Sequence, residues 1–120
     1  MDPAPQSAPK QPNSGPPDLT AALHRLWLQF LPQIEDRAAV LESAAADLAH
    51  NKLSAEQRQA AHAAAHKLAG TLGTFGLAEG TSLAREAELL YAAESELTQT
   101  AATRLAEVAH QLRIMLESRK

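Results

Sequence analysis

The chain contains no cysteine, which excludes disulfides, thiol catalysis and cysteine-based metal sites, and agrees with a cytoplasmic setting. Aromatic residues are scarce, at one Trp, one Tyr and two Phe. No apolar run reaches the ~18 residues that a membrane span needs, so no membrane insertion is expected. The charge is not basic: 11 Lys and Arg against 14 Asp and Glu give a formal net charge of −3. No basic stripe with interleaved aromatics is present, and nucleic-acid binding is not expected. Strand patterns, internal repeats and a P-loop are also missing, so no nucleotide site is expected.

Six of the seven prolines fall within the first 17 residues, among Gln, Ser, Asn and Gly. Such a stretch buries too little apolar surface to offset the entropy of ordering it. Residues 1–17 therefore read as a disordered Pro-rich arm or linker, without the apolar stretch of a signal peptide. Residues 18–120 are rich in Ala and Leu and read as one helical domain around one core.

Within that domain, Asp18 can cap a first short helix carrying Leu19, Ala22, Leu23, Leu26, Trp27 and Phe30 on one side. Pro32 is expected to break or kink it, because proline lacks the amide hydrogen and clashes with the preceding turn. A second helix, from about Gln33 to His50, places Ile34, Ala38, Leu41, Ala45 and Leu48 at alternating spacings of four and three. A turn at Asn51 and Lys52 follows. Ser54-Ala55-Glu56-Gln57 is a capping box, with the serine taking the N3 amide and the glutamine reaching back. The helix it opens can close at Gly76, where a left-handed residue suits glycine. A further helix, from about Ala78 to Ala93, turns Leu83, Ala84, Ala87, Leu90 and Tyr91 inward. Thr98 or Thr100 caps the last one, which repeats Leu105, Val108, Leu112 and Met115 or Leu116. Long amphipathic helices on short loops predict an all-α fold, an antiparallel four-helix bundle with a short extra N-terminal helix.

The most informative segment is Ala65-His66-Lys67-Leu68-Ala69-Gly70-Thr71-Leu72-Gly73-Thr74-Phe75-Gly76-Leu77. Glycine inside a helix costs roughly 1 kcal/mol relative to alanine, so Gly70 and Gly73 need a reason. At about 100° per residue, Ala61, Leu68, Leu72 and Phe75 form one apolar stripe, and His66 lies opposite it. Gly70, Gly73 and His62 fall within about 40° of His66, and Lys67 flanks at about 100°. The face is an exposed imidazole above a patch almost free of side chains, where a partner could approach the backbone closely.

His66-x-Leu68-x-Gly70, followed by Gly73 and Gly76, resembles the histidine-containing phosphotransfer (HPt) domain of two-component phosphorelays. The resemblance covers roughly Leu19 to Leu116 and implies the four-helix plan already read from the pattern. It implies that His66 accepts a phosphoryl group from a receiver-domain aspartate through a ring nitrogen, most plausibly Nε2, and passes it to a second aspartate. Gly70 and Gly73 would leave room for the receiver's loops. The protein would be a phosphocarrier rather than a self-sufficient enzyme, with no cofactor of its own and with Mg²⁺ held by the receiver. Implied partners are response-regulator receiver domains, and a hybrid sensor histidine kinase is a further candidate. A monomer is expected. One position departs from the family pattern: the usual lysine three residues after the histidine is Ala69 here. Lys67 and Arg85 are the candidate substitutes for its charge.

Plainer readings apply to other residues. His62 and His66 have the i, i+4 spacing of a zinc pair, but Ala63 replaces the expected glutamate and no third ligand is evident, so no metal site is expected. His24, His50 and His110 read as surface or boundary residues. Gly76 reads as a structural helix end. Trp27 and Phe30 read as core or end-cap residues, with dimerisation as the weaker use of their helix. Glu79, Glu86, Glu88, Glu94 and Glu96 read as solvated charges that can also tune receiver choice. Two alternatives to the phosphocarrier are a silent HPt-like module that docks a receiver without accepting phosphate, and a helical dimerisation domain.

Overall fold

A computed structural model describes residues 16–119, so the first 15 residues of the Pro-rich arm lie outside the described residues. Among the described residues the structure has four helices and no strand: α1 (Pro16–Ala49), α2 (Ala55–Thr74), α3 (Ala78–Ala92) and α4 (Gln99–Glu117). The chain divides at Pro32 into two compact units, Met1–Leu31 and Pro32–Lys120.

The short extra helix is not separate. α1 runs through Pro32, which sits inside it. One proline removes one hydrogen bond, and in a helix of 34 residues the turns on both sides remain bonded. Nor does Asp18 open the helix, because α1 begins two residues earlier, at Pro16. Proline is tolerated in a first helical turn, where its missing amide hydrogen would have had no intrahelical partner. In the first unit Trp27 is buried, whereas Leu19, Leu23, Leu26, Leu28 and Phe30 are exposed. Of the apolar side expected of this segment, Trp27 is covered and Leu19, Leu23, Leu26 and Phe30 are not.

The second unit holds the core. Ile34, Leu41, Leu68, Leu72, Leu105, Val108, Leu112 and Leu116 are fully or almost fully buried, along with Ala38, Ala65, Ala84 and Ala87. No polar or charged residue is buried among the described residues. The helices run antiparallel, as pairs of cross-helix contacts reveal. Gln57 bonds Asp47 while Arg37 bonds Thr71, so α2 ascends as α1 descends. His66 meets Glu88 and Gly73 meets Thr81, which sets α3 against α2. Glu86 meets Arg104 and Gly80 meets Met115, which sets α4 against α3.

The helix ends follow from local chemistry. α1 closes with Asn51 at φ 58°, the left-handed conformation that asparagine tolerates, while Asn51 N–H bonds Leu48 O and Lys52 N–H bonds Asp47 O. α2 opens on Ser54, whose Oγ accepts from the Gln57 amide at 3.0 Å. The reciprocal half of the capping box does not form. Gln57 Nε2 instead donates to Asp47 Oδ2 at 2.7 Å, where an ionised acceptor makes the stronger bond. α2 closes in a Schellman motif: Gly76 has φ 73°, its N–H bonds Gly73 O, and Leu77 N–H bonds Leu72 O. Thr98, not Thr100, caps α4, its Oγ1 accepting from Ala101 N. Arg58 reaches from α2 to the carbonyls of Tyr91, Ala93 and Ser95 and places a cation on the carbonyl-rich end of α3.

Candidate functional site

His66 stands in the middle of α2 with its side chain 65% exposed. The helix is held from behind by Ala61, Ala64, Ala65, Leu68, Ala69 and Leu72, all buried, so the exposed face is fixed by core packing on the other. Gly70 and Gly73 lie on the exposed face. A Cβ added at Gly70 would meet nothing within 4 Å, and one at Gly73 would meet only Thr81 at 3.7 Å, an ordinary contact. Nothing inside the fold requires either glycine.

The imidazole is gripped from one side. His66 Nδ1 lies 2.7 Å from Glu88 Oε2 on α3, and Glu88 itself is only 17% exposed. Arg85, one turn earlier on α3, places Nη1 3.7 Å from the other Glu88 oxygen. An ionised carboxylate offers only acceptors, so Nδ1 must carry the hydrogen and donate it. In the neutral ring the lone pair then falls on Nε2, which has no hydrogen-bond partner among the described residues.

On the α1 side a shallow depression opens beside the ring, lined by Arg37, His66, Lys67, Gly70, Thr71 and Thr74. Arg37 Nη1 donates to Thr71 Oγ1 at 3.4 Å, and Thr74 Oγ1 donates to Gly70 O.

The structure brings together His66, Lys67, Gly70, Gly73 and Arg85, with His62 half-exposed one turn before His66. Ala69 does not belong with them. It is 1% exposed and presents no surface to a partner, because a neighbouring helix packs over that edge of α2. Gly76 lies past the helix end in its capping conformation. Among the described residues no cluster of three or more His, Cys, Asp or Glu side chains could hold a metal ion. No described helix is long and apolar enough to cross a membrane.

Two residues of this site escaped the sequence reading. In sequence Glu88 reads as one of the solvated charges that can also tune receiver choice, and Arg37 is unmarked. A signal for Glu88 existed. The three-residue link between α2 and α3 fixes an antiparallel register about Leu77, with His66 eleven residues before it and Glu88 eleven after. Gly73 and Thr81, four residues to either side, obey the same symmetry. For Arg37 the corresponding signal is weaker, since the α1–α2 link is longer.

Comparison with known proteins places these features in context. The Hpt domain family profile matches residues 25–119. The protein RcaC of Microchaete diplosiphon is 38% identical over 77 residues, which cover 64% of this chain and 12% of RcaC. The chain thus corresponds to a small part of that relative. No solved structure matches the chain.

Proposed function

The chain belongs to the Hpt domain family, the histidine phosphotransfer modules of phosphorelays, and from this premise we propose that His66 is its phospho-accepting residue, relaying a phosphoryl group between aspartates of receiver domains. The observation that carries the reading is the Glu88 contact: an exposed ring with one nitrogen tied to a carboxylate and the other free, above two glycines that the fold does not need.

In the proposed step, the Nε2 lone pair attacks the phosphorus of a receiver's aspartyl phosphate. The N–P bond forms as the P–O bond breaks, and the aspartate carboxylate leaves with the electron pair. Because Nδ1 keeps its hydrogen, the phosphorylated ring carries a positive charge, which the Glu88 carboxylate stabilises at 2.7 Å. The charged ring is a good leaving group, so the same step runs in reverse toward a second aspartate. Mg²⁺ would be held by the receiver, as would the acid groups that bind it. This makes the chain a carrier rather than a self-sufficient enzyme. Gly70 and Gly73 admit the receiver's loops, His62 and Lys67 border the docking face, and Arg85 balances the charge of Glu88. The setting is the cytoplasm, the active form is a monomer, and residues 18–120 are the carrier domain behind a Pro-rich linker. The presence of His66 with Glu88 against its ring favours a working carrier over a silent docking module.

The test is phosphotransfer from a panel of ³²P-labelled receiver domains, with Mg²⁺, to the wild type and to His66→Gln. The expected result is an acid-labile, alkali-stable label on the wild type alone. Receiver binding without label would favour the silent module, and equal labelling of His66→Gln would remove His66 as the acceptor.

A further inference from the structure

Most cations of the second unit are engaged. Arg104 is bound by Glu86 and Glu107, Arg113 by Glu42, Arg85 by Glu88, and Arg58 by backbone carbonyls. Lys52, at the α1–α2 turn, has no carboxylate partner among the described residues either, but Arg37 and Lys67 differ from it in flanking His66. Among the described residues neither pairs with a carboxylate, and Arg37 has only the neutral Thr71 hydroxyl. Both line the depression beside His66, on the edge away from Glu88. The half-exposed Arg37 is held there by α1, whose Ile34, Ala38 and Leu41 are buried in the core.

A guanidinium and an ammonium kept free of carboxylates, beside a nucleophilic ring, form a ready site for a dianionic group. The hydroxyl of Thr71 adds a third polar group to the same wall. From this arrangement we infer that Arg37, with Lys67, binds the phosphoryl oxygens when the group sits on His66. The inference rests on the phosphocarrier reading and deepens it. It also accounts for Ala69. A lysine there would begin inside the core, whereas α1 delivers the charge from across the groove.

The probe is phosphoramidate, a small donor that needs no cognate receiver. In its reaction Nε2 forms the N–P bond, the donor's N–P bond breaks, and ammonia leaves. Labelling of the full chain is followed by ³¹P NMR for wild type, Arg37→Gln, Arg37→Lys, Lys67→Gln and His66→Gln, with melting curves for each. Loss of one charged hydrogen bond should raise the KM for phosphoramidate on the order of tenfold in Arg37→Gln. Arg37→Lys should recover most of the loss, and melting should change little. Lys67→Gln, an exposed change that disturbs no core contact, should show a rise of its own. If the wild type labels on His66 and both neutral variants match its KM, the inference falls while the carrier reading stands. If Arg37→Lys is as impaired as Arg37→Gln, charge is not what Arg37 supplies and the inference falls likewise. If the wild type labels no better than His66→Gln, the carrier reading fails and takes the inference with it.

Discussion

At the scale of single residues, the proposed chemistry turns on the pair His66 and Glu88. In the proposed step Glu88 touches no incoming group; its carboxylate holds the ring by Nδ1 and leaves Nε2 facing outward. Glu88→Ala should therefore leave the fold nearly intact but slow transfer to His66 by roughly tenfold or more, on the scale seen when the outer-shell partner of a metal-bound histidine is removed. Rapid-quench transfer kinetics beside a melting curve checks this, and an unchanged rate would remove Glu88 from the mechanism. Tyr91 gives a second prediction. Burial pushes its hydroxyl up to about 12, against a smaller opposing pull from the Arg58 charge. A neutral group that ionises less readily when folded stabilises the fold only while it stays neutral. Stability is thus retained below the unfolded value near 10 and lost as pH rises through about 12. The Tyr91 hydroxyl has no hydrogen-bond partner among the described residues, so Tyr91→Phe should cost nothing near neutrality. It should also flatten the fall in denaturation midpoint between about pH 9 and about pH 11.5.

At the scale of elements, α2 carries two glycines that weaken it. Replacing each by alanine should stabilise the protein by ~1 kcal/mol, because neither new Cβ meets a close neighbour. The same variants should slow transfer from a receiver, and Gly70→Leu should block it. Gain of stability with loss of transfer is the expected signature; unchanged transfer kinetics in Gly70→Leu would defeat the close-approach argument. Gly80 behaves in the opposite way. A Cβ there would fall 2.7 Å from Met115 Sδ and 3.0 Å from Leu72 Cδ1, so Gly80→Leu should lower stability by ~2 kcal/mol, read by chemical denaturation. Much of this level was legible in sequence, since helix periods and caps are local. The stripe of α2, the Ser54 cap and the Gly76 exit follow from neighbours a few residues apart. What was not legible depended on distant partners. Gln57 was drawn from its capping role by Asp47 on another helix, and α1 carried Pro32 without ending there. Ala69 lies only about 60° from His66 on α2 and so reads as a missing surface lysine, but packing against a neighbouring helix buries it.

At the scale of the whole molecule, surface ion pairs tie successive helices together. Glu86 is held below the usual carboxylate range, chiefly by its hydrogen bond to Arg104. A lowered acid pKa stabilises the fold above the ordinary value of 4.5 and loses that contribution as pH falls through the lowered one. Both partners of this pair are partly exposed, so the share is small and salt should weaken it. Glu86→Gln should accordingly show less acid sensitivity than the wild type in midpoint against pH. The site itself is made by three helices: α2 supplies the histidine, α3 the carboxylate that orients it, and α1 a cation on the far edge. Only α2's part is local in sequence, which is why His66 stands out there, whereas Glu88 is found only through the α2–α3 register and Arg37 lies across a longer link. The most direct test of the account is to find the phosphorus on the ring. The wild type would be phosphorylated from an active receiver domain, and ³¹P–¹⁵N coupling would be read on ring-labelled protein. The account predicts phosphorus on Nε2 of His66, with Nδ1 still protonated against Glu88. Phosphorus on Nδ1, or on any other residue, would contradict it.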